Sequence, residues 1–386
     1  MIEKLSHLIP EGGAPIDWQG LADAGFAAML AEMEKTPQNP AYHAEGDVLE
    51  HTKRVCAALV ADPRYGALAY DDRELLFLSA LLHDIGKPAC TRIVDGVPTS
   101  PYHAPRGACH ARRLLWRDFG LAGTPEAQRL REAIALMVRY HPFPSFAALR
   151  EGSERRLCRI AANGELTDAF TVEKLCILAA ADIRGRIGPH EEESLERVEY
   201  CEMLAEEREC LHGPYRFADP YSARAYFREQ TERPEVALYR DSFGEVILMS
   251  GLPGTGKDTY IATHYPDMPV VSLDAIRLRL GVKPTDPQAP VVSAAKEEAR
   301  EHLRKKRPFI WNATSISYEL RGGLISLFEG YGASVRTIFL ETSLETELAR
   351  NKSREAVVPE PVIHKMLSRL EIPERYECEA VEWKTT

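Results

Sequence analysis

Apolar residues recur at three- and four-residue spacing up to about residue 212, and this period predicts amphipathic helices. The segments with this spacing are 48–60, 72–84, 107–119, 126–140 and 171–184. From about residue 245 the pattern changes to short apolar runs separated by amphipathic stretches. The runs that predict buried strands are Glu245–Ser250, Pro269–Leu273, Phe309–Asn312 and Val335–Leu340. Strands that alternate with helices in this way indicate a parallel sheet flanked by helices.

A polar segment, 191–241, separates the two patterns and contains Gly213-Pro214. We place a domain boundary there, which gives a helical domain over 1–213 and an α/β domain over 214–386. A chain of 386 residues is long for a single domain, which agrees with this division. The predicted fold class is therefore multi-domain, with an all-α domain followed by an α/β domain built on a parallel sheet.

Composition and charge exclude few classes of protein. The chain is 45% hydrophobic, so each domain can bury a core. The net charge of −10 argues against a general nucleic-acid coat protein but not against an enzyme that grips a nucleic-acid end in a locally basic pocket. The eight cysteines form no CxxC pair, no apolar run approaches the length of a membrane span, and the start lacks a secretory pattern. We expect a reduced, cytoplasmic protein without membrane association.

Residues 251–257 read Gly-Leu-Pro-Gly-Thr-Gly-Lys, between a predicted strand and a predicted helix that starts near Lys257. This setting is typical of a phosphate-binding P-loop and favours that function over an ordinary glycine-rich turn. Glycines let backbone N–H groups converge on phosphates, and Lys257 is placed to reach the β- and γ-oxygens. The candidate nucleotide-binding residues are Gly251, Gly254, Thr255, Gly256, Lys257, Asp258 and Thr259.

Asp258 occupies the position where a P-loop usually carries the Ser or Thr that holds Mg²⁺. A carboxylate is a hard oxygen ligand and can hold Mg²⁺ directly or through water. A purely structural role at the helix start is also open for Asp258, because the positive N-terminal potential favours a carboxylate there. Thr259 or water would then have to serve as the ligand.

Two further pairs of residues are candidates for phosphate transfer. Asp274 follows the second strand, and Arg277 lies on the same helical face, so an aspartate base and a phosphate-binding arginine are one interpretation. An N-cap aspartate with a surface arginine is the other. Arg350 and Arg354 lie four residues apart and can close over a transferring phosphate, although a solvated basic helix end has the same sequence.

Taken together with Asn312-Ala313-Thr314 after the third strand, these motifs resemble the polynucleotide 5′-kinase branch of the P-loop phosphotransferases over residues 245–372. The resemblance implies that Asp274 is the general base for a 5′-hydroxyl and that Arg277 binds a phosphate of the acceptor. It also implies that Arg350 and Arg354 clamp the donor, which would be ATP or another NTP with Mg²⁺. Small-molecule kinases share this scaffold.

The helical half contains His83-Asp84 at the end of an apolar helix. Adjacent His and Asp side chains can chelate one metal ion. Asp182 faces inward from an apolar helix face, which is costly unless the carboxylate is paired or bound to metal. Other candidate ligands are His51, His103, His110 and His141.

This ordered set resembles the HD superfamily of metal-dependent phosphohydrolases over about residues 40–190, and most closely the HD domains fused to tRNA nucleotidyltransferases. Tyr102 stands where that group has glycine before His103. The resemblance implies one or two divalent transition metals, with Lys87 either contacting a substrate phosphate or lying on the surface. Its first metal would be held by His51, His83, Asp84 and Asp182. A second metal, or phosphate, would be contacted by His103, His110 and His141. The remaining histidines, His43 among them, are expected on the surface.

The two halves together resemble the bacterial HD-domain polynucleotide kinases, which are bifunctional end-healing enzymes. We therefore expect phosphorylation of RNA or DNA 5′-hydroxyl ends and removal of 2′,3′-cyclic, 2′- or 3′-phosphates. A ligase acting downstream and a homodimer are compatible with this expectation. The alternatives are a small-molecule kinase fused to an HD nucleotidase, and a regulatory protein that binds nucleotides without turnover.

Overall fold

The structure is a computed structural model that describes residues 2–283, 286–353 and 357–386. The chain folds into two compact units. The helical unit comprises Met1–Leu121 and Glu126–Tyr215, and the sheet unit comprises Ala122–Pro125 and Arg216–Thr386. No helix of the described residues is both long enough and apolar enough to cross a membrane.

The helical unit is built from helices around one hydrophobic core. Its helices are α1 (Trp18–Leu21), α2 (Ala27–Glu34), α3 (Val48–Ala61), α4 (Pro63–Gly66), α5 (Tyr70–Leu82), α6 (Lys87–Cys90), α7 (His103–Arg117), α8 (Pro125–Tyr140), α9 (Ser153–Ala161), α10 (Val172–Gly185) and α11 (Glu191–Glu207). A π-helix spans Ala22–Phe26, and 3₁₀ turns span Glu3–Leu5, Pro144–Leu149 and Ala162–Glu165. Each of the five segments with helical spacing forms a helix, because each buries an apolar stripe.

One feature of the helical unit is absent from the sequence prediction. Strands β1 (Arg92–Val94) and β2 (Val97–Thr99) form an antiparallel hairpin between α6 and α7. Asp95 and Gly96 supply the positive φ angles that its two-residue turn requires.

The sheet unit contains a five-stranded parallel sheet in the order β4-β5-β3-β6-β7. The strands are β3 (Glu245–Ser250), β4 (Val270–Ser272), β5 (Phe309–Asn312), β6 (Ser334–Glu341) and β7 (Ala380–Thr385). Four of them match the predicted apolar runs, and the edge strand β7 does not appear in the prediction. With the helical first half, this sheet confirms the predicted fold class.

Helices flank the sheet, and some of them begin at side-chain caps. They are α12 (Pro220–Phe227), α13 (Lys257–His264), α14 (Leu273–Leu280), α15 (Ala289–Arg304), α16 (Tyr318–Gly330), α17 (Leu344–Lys352) and α18 (Glu360–Leu367). Side chains of Ser272, Ser317 and Ser343 accept backbone N–H bonds and so start α14, α16 and α17. The segment 191–241 is polar, as the sequence shows, but it includes α11 and α12.

Candidate metal centre and phosphate-binding loop

Three elements of the helical unit bring His51, His83 and Asp182 together. His51 lies on α3, His83 follows α5, and Asp182 lies on α10. The Nε2 atom of His51 is 3.0 Å from Oδ1 of Asp182 and 3.3 Å from Nε2 of His83. Asp84 joins them, because its Oδ2 is 3.2 Å from Nε2 of His83. All four residues are buried.

Two glycines allow the helices to approach closely enough for this arrangement. A Cβ atom on Gly185 would lie 2.5 Å from Cγ2 of Val55, so α10 can pack against α3 only where no side chain intervenes. A Cβ on Gly86 would lie 2.1 Å from the carbonyl oxygen of His103 and 2.7 Å from the nitrogen of Gly107. The φ of Gly86 is −81°, so the glycine is needed for this close approach rather than for a sharp exit from the helix.

A second group of ligand atoms comes from Asp84, His103 and His141, all within 4.8 Å of one another. Among the residues that the structure describes, the Oδ1 atom of Asp84 is buried without a hydrogen-bond partner, and it lies 3.5 Å from Nε2 of His103. A buried carboxylate oxygen without a partner is energetically unfavourable, and a bound cation would remove this cost. We call the six residues of both groups the metal cluster: His51, His83, Asp84, His103, His141 and Asp182.

The imidazoles of His83, His103 and His141 are each oriented by the same kind of hydrogen bond. In each, Nδ1 lies within hydrogen-bond distance of a backbone carbonyl, so an Nδ1–H that donates there leaves Nε2 as the lone-pair atom facing the cluster. Fixing the ring in this way is how proteins orient metal-binding histidines. The carbonyls belong to Ala80 (2.7 Å), Ser100 (2.9 Å) and Val138 (2.9 Å), respectively.

Both carboxylates of the cluster favour the ionised form that a metal requires. Burial alone would raise the pKa of Asp84, but Lys87 and then His83 outweigh it and hold that pKa well below its usual value. Burial opposes ionisation of Asp182 in the same way, and Arg186 outweighs it, so the pKa of Asp182 is also well below its usual value.

The pKa values of three histidines in the cluster are shifted in different directions. Burial, followed by the charge of His83, lowers the pKa of His141 to about 3, and burial also lowers the pKa of His103. Both are therefore neutral and ready to bind a cation at neutral pH. Burial would lower the pKa of His83 as well, but Asp84 outweighs it and the pKa lies above its usual value. An imidazole must be free of this proton to bind a cation, so metal affinity falls as pH falls.

Two cationic side chains adjoin the metal cluster. The Nζ atom of Lys87 is 2.6 Å from Oδ2 of Asp84 and donates to Oε1 of Gln38 at 2.6 Å, so Lys87 is not a surface lysine. Arg186 forms an ion pair with Asp182 from just beyond the end of α10. Arg186 was not predicted as a site residue, because it lies beyond the end of the apolar helix pattern.

Glu45 is a second residue that the sequence analysis missed. Its Oε1 lies 2.9 Å from Nδ1 of His51 and 2.8 Å from Nδ1 of His43, while its Oε2 accepts the N–H of Ile187 at 2.8 Å. With these contacts made, Glu45 is placed to orient His51 towards the metal cluster. The side chain of His43, expected on the surface, is only 14% exposed.

His110 does not join the candidate metal groups of the described residues. Its Nδ1 lies 3.2 Å from the carbonyl oxygen of Ile85, and burial lowers its pKa. The structure therefore brings His103 and His141 into the cluster and leaves His110 outside it.

In the sheet unit, the loop 251–257 links β3 to α13 as the sequence predicts. Gly251, Gly254 and Gly256 have φ angles of 138°, 86° and 82°, which residues with side chains rarely adopt. A Cβ on Gly251 would lie 2.3 Å from the carbonyl oxygen of Leu340, and one on Gly254 would lie 2.8 Å from that of Glu347. The loop is thus seated between β6 and α17.

The Lys257 ammonium is folded into this loop. It donates to the carbonyl oxygens of Gly251 at 3.0 Å and Leu252 at 2.7 Å. The Thr255 hydroxyl also donates to Leu252, at 2.9 Å, so the loop is braced from inside.

Arg350 of α17 lies beside the same loop. A Cβ atom added to Gly256 would lie 3.6 Å from Nη1 of Arg350. The same Nη1 donates to the hydroxyl of Thr386 at 3.1 Å. That hydroxyl is also 3.1 Å from the carbonyl oxygen of Thr255. Arg354, the other predicted arginine of this pair, lies outside the described residues.

Asp274 and Arg277 form an ion pair on α14, and Nε of Arg277 donates to Gln288 at 2.8 Å. The Asp274 side chain is 57% exposed. Strand β5 separates β4, which precedes Asp274, from the P-loop strand β3. At the carboxyl ends of these two neighbouring strands, Ser272 of β4 pairs with Asn312 of β5.

Asn312 connects this edge of the sheet to the P-loop helix. Its side-chain nitrogen donates to Oδ1 of Asp258 at 2.6 Å, while Asp258 and the adjacent Thr259 are both exposed. Asp258 is therefore held in place at the carboxyl end of the strands, where ligands bind in such sheets.

If Asp258 holds the Mg²⁺ that accompanies the nucleotide, Asp258→Ala raises the Mg²⁺ concentration for half-maximal kinase activity, by about 5-fold or more. Asp258→Ser restores part of the loss. Asn312→Ala shifts the requirement in the same direction by less, because only the orienting bond is lost. The measurement is a Mg²⁺ titration of the expected kinase activity, with Asp267→Ala as an exposed acidic control. A titration that is identical in wild type and Asp258→Ala contradicts this role.

Glu347 is a buried carboxylate that the sequence analysis did not notice. Both of its carboxylate oxygens are buried without a hydrogen-bond partner among the described residues. Burial raises the pKa of Glu347 to about 8, although the charge of Lys257 opposes the shift. The unfolded chain, with a carboxyl pKa of 4.5, loses this proton much earlier than the folded one.

Between pH 4.5 and about 8 the folded state therefore binds more protons than the unfolded state, and stability falls as pH rises. We expect Glu347→Gln to increase the free energy of unfolding by a few kcal/mol at pH 8, since each pKa unit corresponds to about 1.4 kcal/mol. The gain vanishes towards pH 4.5. Urea unfolding across this range measures it, with the exposed Glu345→Gln on the same helix as control. A gain that does not change with pH contradicts the assignment.

Comparison with protein families gives two matches in separate parts of the chain. Residues 48–184 match the HD domain and residues 246–373 match an AAA domain. The chain joins an HD domain to a P-loop kinase-like domain. No curated protein matches it. The two matches, with the metal cluster, indicate a nucleotide-related enzyme with hydrolase-like and kinase-like parts.

Proposed function

We propose that this protein is a bifunctional nucleic-acid end-healing enzyme. Its kinase-like domain transfers the γ-phosphate of an NTP to a polynucleotide 5′-hydroxyl. Its HD domain opens 2′,3′-cyclic phosphates and removes terminal 2′- or 3′-phosphates. The observation that carries the proposal is the presence, in one chain, of a phosphate loop flanked by Arg350 and of a buried cluster of imidazoles and ionised carboxylates.

The residues of the metal cluster fit a divalent transition metal. Neutral imidazole nitrogens and carboxylate oxygens are ligands that such ions prefer, and Oδ1 of Asp84 is buried without a hydrogen-bond partner in the described part of the chain. His51, His83, Asp84 and Asp182 would hold a first ion, and His103 and His141 with Asp84 a second. A divalent ion in such a site lowers the pKa of water and so supplies a nucleophile at neutral pH.

Two cationic side chains near the cluster would bind the substrate phosphate in the HD domain. Lys87 lies against Asp84 and can turn its ammonium towards a substrate phosphate once a metal neutralises that carboxylate. Arg186 stands in the same relation to Asp182. Both side chains would compensate the negative charge of a phosphate ester brought to the cluster.

In the kinase-like domain, Lys257 would leave the loop carbonyls to bind the β- and γ-oxygens, and Arg350, which lies beside Gly256 of the loop, would bind the transferring phosphate. Asp274 would accept the proton of the attacking hydroxyl. Arg277, its neighbour, would bind a phosphate of the acceptor and thereby favour polynucleotides over small alcohols.

The test presents the protein with separate labelled oligonucleotides, RNA and DNA, that bear a 5′-hydroxyl or a 3′-phosphate. NTP and a panel of divalent metals are added, and the products are resolved by electrophoresis. We expect a 5′-phosphate to form only with NTP and a 3′-phosphate to be lost only with metal. Faster phosphorylation of a small alcohol or sugar than of any oligonucleotide contradicts the polynucleotide assignment.

A further inference from the structure

Tyr102, at the start of α7, has a backbone conformation that is unfavourable for a residue with a side chain. Its φ is 60° and its ψ is 20°, in the left-handed region that glycine adopts freely. The residue is 78% exposed, so burial of the ring does not offset this strain. Strained residues of this kind cluster at functional sites. A phenol ring is thus held at the surface where a glycine would be more favourable for the fold.

The position of Tyr102 relates it directly to the metal cluster. The next residue, His103, places Nε2 3.5 Å from Oδ1 of Asp84. The His103 side chain is 24% exposed, while the other members of the cluster are buried. A substrate therefore reaches the cluster past His103, and Tyr102 is one peptide unit, about 3.8 Å between Cα atoms, from that opening.

The surface around Tyr102 suits a nucleotide. Arg106, one turn further along α7, is exposed on the same helical face and adds a positive charge. The hairpin that leads into Tyr102 exposes Ile93 and Val94, at 60% and 43%. An aromatic ring beside a cation is the combination with which proteins bind single-stranded nucleic acid, stacking on the base and neutralising the backbone.

We propose that Tyr102 stacks on the base of the terminal nucleotide whose phosphate reaches the metal cluster. The inference rests on the proposed function and makes it more specific. It assigns to the HD domain phosphate ends that carry a nucleobase, and it makes the base next to the scissile phosphate a recognition element. Tyr102 contacts the substrate and takes no part in proton transfer.

The experiment compares two oligonucleotides with a 3′-phosphate that differ only in whether the terminal nucleotide carries its base or is abasic. For the complete strand, Tyr102→Ala raises KM about 5- to 100-fold with little change in kcat, as expected from the loss of one base–aromatic stack. For the abasic strand, Tyr102→Ala has no effect, because the partner of the ring is already missing. Tyr102→Phe behaves as wild type with both strands.

Two controls separate stacking from folding. Tyr102→Gly relieves the backbone strain, so its melting temperature equals or exceeds that of wild type while its KM rises as in Tyr102→Ala. Tyr200→Ala removes another exposed tyrosine, on α11, and leaves KM unchanged. Equal effects of Tyr102→Ala on the two strands, or none on either, overturn the stacking proposal. If wild type hydrolyses neither strand, it is the proposed function that fails.

Discussion

Asp84→Ala is expected to reduce phosphoesterase activity on the order of 10³-fold or more while 5′-kinase activity stays within about 2-fold of wild type. Asp84 is the residue that both ligand groups share. One oxygen lies by His83 and Lys87, and the other faces His103. Its removal therefore affects every ion that the cluster would hold. The measurement is the rate of 3′-phosphate removal and of 5′-phosphorylation on the same protein preparation.

The variant also leaves the buried Lys87 without its carboxylate, which costs stability. Melting temperature is therefore measured in parallel, and His83→Ala provides a second variant that leaves the pair of Asp84 and Lys87 in place. Asp71→Ala, an exposed aspartate on α5, should match wild type in both activities. Loss of both activities in a folded Asp84→Ala protein contradicts two independent sites.

Lys257→Ala is expected to have the opposite effect, a fall in kinase activity on the order of 10²- to 10³-fold with phosphoesterase activity unchanged. The ammonium group is the positive charge nearest to the phosphates in a P-loop, and a missing donor of this kind typically costs that much. In the structure Lys257 lies in the sheet unit and bonds to atoms of its own loop, at Gly251, Leu252 and Thr255, so we expect its loss to leave the HD domain folded.

The matched control is Lys305→Ala, which removes an exposed lysine of the same unit. A Lys257→Ala protein that retains more than about a third of the kinase rate contradicts the assignment of the loop to the phosphate donor. Loss of phosphoesterase activity in the same folded protein contradicts independence of the two sites.

Local sequence patterns predicted most of the fold. The apolar runs of β3, β5 and β6 are buried on both faces, so a simple run of hydrophobic residues identified them. Strand β7 was missed because Glu382 and Lys384 interrupt its apolar positions, as an edge strand permits. The hairpin β1–β2 was missed because its strands are only three residues long and bury no hydrophobic face.

The site could be predicted where ligands follow a helical pattern or a motif. His51 and Asp182 are buried on helices, His83 is buried directly after one, and the P-loop has a fixed spacing. Glu45 could not be found, because it lies in a loop without periodicity and meets His51 only through the fold. The partnership of Asp258 with Asn312 likewise depends on the order of strands, since the two residues are 54 positions apart.

We propose that this one chain repairs both ends of a broken strand. The most direct test is an RNA strand with a 5′-hydroxyl and a 2′,3′-cyclic phosphate, supplied with the protein, NTP, divalent metal and a ligase that joins only 5′-phosphate to 3′-hydroxyl ends. We predict ligated product with wild type, none with Asp84→Ala or Lys257→Ala alone, and product again when the two variants are mixed. Absence of product with wild type, while the ligase joins a strand with healed ends, contradicts the account.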